Sequence, residues 1–158
     1  MAITLYRNER SKTILVVEDD AVIRYIVRIV LERMGHIVLE ACDGAEGLTV
    51  SRNFSNPIDL VVSDVRMPKM NGPEMVCRLQ AERPGIRVLL ISGYFTETVA
   101  PDLRAEFLPK PFLPGAIEKK VQEMLARDPV FSGRKHSPQP KRRDLGVTRI
   151  SAQLPRRG

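Results

Sequence analysis

Five side chains with complementary chemistry lie far apart in this 158-residue chain: Glu18 and Asp19, Asp64, Ser92, and Lys110. Each closes or immediately follows an apolar run: TILVV before Glu18, LVVS before Asp64, RVLLI before Ser92 and AEFLP before Lys110. Carboxylates brought within a few ångströms raise one another's pKa and resist joint ionisation unless a hard cation sits among them. Magnesium suits such a place, because it takes oxygen ligands and keeps several waters. A carboxylate can also attack a phosphoryl group to form an acyl phosphate. That reaction needs its added negative charge balanced by a metal among the acids and by a second cation, for which Lys110 is the candidate. The Ser92 hydroxyl can donate to a phosphoryl oxygen.

Elements must carry these groups to one place, and the apolar pattern supplies them. Thr13–Val17 reads as a strand buried on both faces, as in a parallel sheet. Val22, Ile26, Val30 and Met34, with Ile23, Val27 and Leu31 beside them, keep a helical period over residues 21–34, and Gly35 stops it. Residues 36–41 give a second strand, and a short helix begins near Asp43. After the break at Ser55, Asn56 and Pro57, residues 58–64 form a third strand. Asn71 caps a helix from Pro73 to about Arg83, which Pro84 and Gly85 close. Residues 87–93 make strand four, residues 105–110 contain strand five, and the last helix runs from about Leu113 to Arg127. Its stripe is Leu113, Ile117, Val121, Met124 and Leu125. The helix between strands four and five is expected to be short or irregular, since FTETVAPDLRAEF contains Pro101 and little helical period. Alternating strands and helices predict an α/β fold, a doubly wound parallel sheet whose ligands bind beyond the carboxyl ends of the strands.

Composition sets the limits. The chain carries 25 Lys and Arg against 19 Asp and Glu, a net charge of +6. Residues 128–158 hold eight of the basic residues and only Asp128 and Asp144 among the acids, so the first 127 residues balance at 17 of each. The basicity therefore belongs to an appendage. Three parts are expected: an N-terminal extension over 1–10, one domain over 11–127, and a basic, disordered tail over 128–158 that is poor in apolar residues. No apolar run approaches the roughly 18 to 20 residues needed to span a bilayer, and no signal peptide opens the chain, so a cytoplasmic location is expected. Cys42 and Cys77 lack metal or redox spacing and are expected to be buried as small hydrophobes.

The segments ILVVEDD, LVVSDVRMPKMNG, LLISGY and LPKPF, in that order, resemble the receiver domain of bacterial two-component response regulators over about residues 11 to 127. The ISGY segment and the 17 residues between Ser92 and Lys110 are similar to receivers attached to hybrid histidine kinases. The resemblance implies a flavodoxin-like sheet with strand order 2-1-3-4-5 and a phosphoacceptor, Asp64, supplied by a histidine kinase or a histidine phosphotransfer protein. It implies Mg2+ held by Glu18, Asp19, Asp64 and the backbone carbonyl of Arg66. Ser92 would turn toward the phosphoryl group, Phe107 would be the switch aromatic, and the bond to Pro111 would be cis, aiming Lys110 inward. Output would be a change in binding to a downstream protein. Glu18 stands where many members have Asp, which lengthens one ligand by a methylene. Phe107 has no hydroxyl, so a switch there would work by packing.

Two other readings compete with this one. The basic tail, with Lys141 to Arg143 and Arg156 and Arg157, could hold nucleic acid or an acidic partner, although it lacks aromatic residues after Phe131 for base stacking. A phosphatase with an aspartyl-phosphate intermediate would need a second acid two residues after Asp64, and that position is Arg66. Neither is favoured.

Overall fold

A computed structural model describes residues 11–93 and 103–127 of the protein. Five strands, β1 (Thr13–Val17), β2 (Ile37–Ala41), β3 (Leu60–Asp64), β4 (Arg87–Ser92) and β5 (Glu106–Pro109), form one sheet in the order β2-β1-β3-β4-β5. Every pairing is parallel. Four helices, α1 (Ala21–Arg33), α2 (Gly44–Asn53), α3 (Gly72–Glu82) and α4 (Pro114–Ala126), complete the described elements. The expected irregular helix between strands four and five, together with the two terminal segments, falls largely or wholly outside the described residues.

Side chains alternate across a strand, and the two faces of β1, β3 and β4 divide accordingly. Leu15, Val17, Val61, Val88 and Leu90 point to one side, where they pack with Leu48 of α2 and Met75, Val76 and Leu79 of α3. Ile14, Val16, Leu60, Val62, Leu89 and Ile91 point to the other, against Val27 and Leu31 of α1 and Ile117, Val121 and Met124 of α4. β-Branched residues fill these strands because their restricted χ1 suits an extended, doubly covered backbone. Each fully buried aliphatic side chain contributes roughly 1.5 to 3 kcal/mol. The three central strands are thereby fixed, and their carboxyl ends with them.

Three expectations about burial need correction. The stripe that α1 buries runs through Val27 and Leu31, with Ile23, Val30 and Met34 against it, whereas Val22 and Ile26 are exposed. Apolar residues at that density surround most of the helix, and the period alone did not choose the face. Leu113 precedes α4 as its N-cap and is 79% exposed, so the α4 stripe starts at Ile117. Cys42 and Cys77 are both exposed, the first just past the end of β2 and the second on the outer side of α3. Phe107 is 47% exposed on β5.

Candidate functional site

The sequence EDD after β1 divides into two tasks. Asp20 caps α1: its carboxylate accepts from the N–H groups of Val22 and Ile23 at 2.8 and 3.1 Å. Capping satisfies donors that a helix start leaves unpaired, and those bonds hold the Asp20 carboxyl below its ordinary pKa. Glu18 and Asp19 turn instead toward Asp64. The three residues offer carboxylate oxygens that all lie within 4.8 Å of one another. Asp19 is exposed and Asp64 half-buried, while Glu18 is only 3% exposed.

Asp64 reaches this place because β3 ends there and the chain then folds back sharply. The Val65 N–H extends the ladder to the Ile91 carbonyl, and the Gly72 N–H returns to the Val65 carbonyl at 3.0 Å. A Cβ on Gly72 would stand 2.1 Å from the Asp64 carbonyl oxygen, so only glycine fits. The loop between is anchored on α2. Lys69, with a left-handed φ of 64°, places its Nζ 2.6 Å from the buried Asp43, and the Met70 carbonyl accepts from the Gly44 N–H.

Lys110 comes from the far edge of the sheet. Its N–H donates to the Ser92 carbonyl at 2.8 Å, and the bond from Lys110 to Pro111 is cis. Its ammonium bridges the acids, 2.8 Å from Glu18 Oε2 and 2.8 Å from Asp64 Oδ2. Burial opposes the charge on Lys110, but the bonds to Asp64 and Glu18 outweigh it and raise its pKa. Burial pushes the Glu18 carboxyl up to about 7, against the lowering effect of Lys110 and with further help from the Asp64 charge. Lys110 thus pairs with two of the three acids. The hard oxygen donors and their convergence fit a magnesium ion.

The remaining candidates lie around this cluster. Ser92 ends β4 one residue beyond Ile91, the register partner of Asp64. Arg66 follows Asp64 by two residues, its N–H 3.4 Å from Asp64 Oδ1, a long contact compared with the bond Lys110 makes to Oδ2. Phe107 pairs in register with Leu90. Arg24 escaped the reading of the sequence: its Nη1 donates to the Glu18 carbonyl oxygen at 2.6 Å. The available signal was a long cationic side chain one turn past a helix N-cap, since helical side chains lean toward the N-terminus.

Comparison with known proteins identifies the family. The response regulator receiver domain family matches residues 14–122. The sensor kinase CckA of Brucella abortus is 37% identical over 121 residues, which are 74% of this chain and 13% of that protein. The chain spans about half the length or less of CckA and of the transcriptional regulators ycf27 and PhoP that it also matches. Among solved structures, the receiver domain of the hybrid histidine kinase CckA is 34% identical with a TM-score of 0.63, covering 72% of this chain and 98% of that one. The response regulator TrrA of Thermotoga maritima, solved in complex with Mg(2+)-BeF, is 28% identical with a TM-score of 0.64, covering 72% and 99%. With most of its length matched and its strand order the one implied by the resemblance, the chain belongs to the response regulator receiver domain family.

Proposed function

We propose that this receiver domain takes a phosphoryl group on Asp64, from a histidine kinase or a histidine phosphotransfer protein, and passes the change to a downstream protein. The observation that carries the reading is the Lys110 ammonium bridging Asp64 and Glu18 at 2.8 Å each, beside a third carboxylate. An oxygen of Asp64 attacks the phosphorus of the donor, the P–N bond breaks, and the leaving imidazole keeps the electron pair and takes up a proton. The product is an acyl phosphate. Asp64 Oδ2 accepts the Lys110 ammonium, and Oδ1 lies 3.4 Å from the Arg66 N–H.

Glu18, Asp19, Asp64 and the Arg66 carbonyl would hold Mg2+, a reading supported by the relative TrrA, which was solved in complex with Mg(2+)-BeF. When bound, magnesium supplies the divalent counter-charge that the incoming phosphoryl oxygens require. Lys110 then pairs with the phosphoryl group from the opposite side, and the Ser92 hydroxyl donates to another of its oxygens. Phe107, exposed on β5, repacks once Ser92 has moved. The unit that does this is residues 11–127, and the donors it meets are cytoplasmic.

Incubation with a labelled small phosphodonor and magnesium should label the protein, and Asp64→Asn should remove the label. Full labelling of that variant would reject Asp64 as acceptor. No enzymatic turnover of phosphate esters is part of this reading, because Arg66 stands where a phosphatase of this kind needs its second acid.

A further inference from the structure

Every polar atom of Glu18 is engaged, and the bonds come from different parts of the fold. Its N–H donates to the Ala41 carbonyl at the end of β2 at 3.1 Å. Its Oε1 accepts from the Asp20 N–H at 3.3 Å, and its Oε2 from Lys110. Its carbonyl oxygen accepts the Arg24 guanidinium at 2.6 Å, a short charge-assisted bond. That carbonyl belongs to the planar peptide unit joining Glu18 to Asp19. Fixing its direction fixes how that plane lies against β1 and α1, and with it the directions in which the two acid side chains leave the backbone.

Arg24 is itself held. Its Nε lies 3.6 Å from Glu40 Oε1 on β2, while Glu40 Oε2 lies 3.3 Å from Arg28 Nε. Arg28 in turn bonds Glu32 and stacks its guanidinium over the Tyr25 ring, 5.1 Å from the centroid. Glu40 thus holds Arg24 from the β2 side, and through its bond to the Glu18 carbonyl Arg24 gives the acids direction. β2, whose end carries no reactive group, enters the site by this route.

We propose that Arg24, clamped by Glu40, is a positioning residue for magnesium: it orients the Glu18–Asp19 peptide so that two consecutive side chains serve one ion. The proposal rests on the reading of the acid cluster as a magnesium site. Without the bond, mutual repulsion of the carboxylates rotates that peptide, and the ion must pay to restore it on binding.

The test is calorimetric titration of the full chain with magnesium chloride. Arg24→Ala should weaken magnesium about tenfold, the lower end of the range for groups that orient ligands. Arg24→Lys should recover part of the loss, and Glu40→Gln should move in the same direction as Arg24→Ala by less. The initial rate of labelling from a small phosphodonor should fall in Arg24→Ala at low magnesium and return to the wild-type rate at saturation. A folded Arg24→Ala with wild-type magnesium affinity, or a rate deficit that saturation does not close, would overturn the positioning role. If Arg24→Ala does not fold, Arg24→Lys and Glu40→Gln carry the same comparison. A wild-type chain that binds no magnesium is a different result: it overturns the metal reading of Glu18, Asp19 and Asp64 itself.

Discussion

Glu18 ties the acid cluster to pH. Its folded pKa is about 7, above an ordinary value of 4.5, so between those limits the folded chain holds a proton that the unfolded chain releases. The contribution of this group to stability is therefore fully present below about pH 4.5 and is lost as pH rises through 7. Magnesium needs the ionised form, so its affinity should climb between about pH 6 and 8, with proton release at pH 6 seen as a buffer-dependent heat. A flat affinity across that range would place the Glu18 pKa elsewhere. Lys110→Met should drive the Glu18 carboxyl higher still, because it removes an effect that lowers that pKa, and a carbon-detected NMR titration of the side chain would show it. The acids and Lys110 were legible in the sequence because each ends an apolar run. Arg24 and Glu40 were not, because a carbonyl acceptor has no side-chain signature and their meeting depends on the register of β1 with β2, which pairs Val16 with Glu40.

At the scale of elements, the turn from β3 into α3 tolerates little change. Gly72→Ala puts a methyl group into the Asp64 carbonyl, a clash with backbone that cannot move aside cheaply, and should cost about 3 kcal/mol of stability. Chemical denaturation would measure it, and the variant should also bind magnesium more weakly. Lys69 lies in the same loop with a left-handed backbone that glycine would adopt more readily, yet Lys69→Gly should destabilise the fold. The reason is Asp43, whose side chain is almost fully buried and relies on Lys69 as well as on its capping bond to the Glu46 N–H. Loss of an ion-pair partner from a buried carboxylate outweighs roughly 1 kcal/mol of relieved backbone strain. Helix starts at Asp20, Asp43 and Asn71 could be read within a residue or two, since caps are local chemistry. Which side of α1 faces the sheet could not, for Val22, Tyr25 and Ile26 are as apolar as the residues that are buried.

Among the described residues the protein has two cores on one sheet, whose buried members lie between residues 14 and 124. A fragment of residues 11–127 should therefore melt cooperatively with a midpoint close to that of the full chain, while Leu89→Ala, fully buried in the middle of β4, should cost about 2 to 5 kcal/mol. A fragment without a cooperative transition would show that the terminal segments complete a core. Parallel order was legible from the doubly apolar strands, because a two-sided core leaves no polar alternation in β1, β3 or β4. The outermost strands obey another rule. β5 is four residues long, opens with the charged Glu106 and closes with Pro109, which has no amide proton to offer; β2 bears Glu40 beneath two guanidinium groups. Short, charged and proline-ended rims give a neighbouring chain little to zip onto, so the molecule should remain dispersed in concentrated solution and resist seeding into fibres.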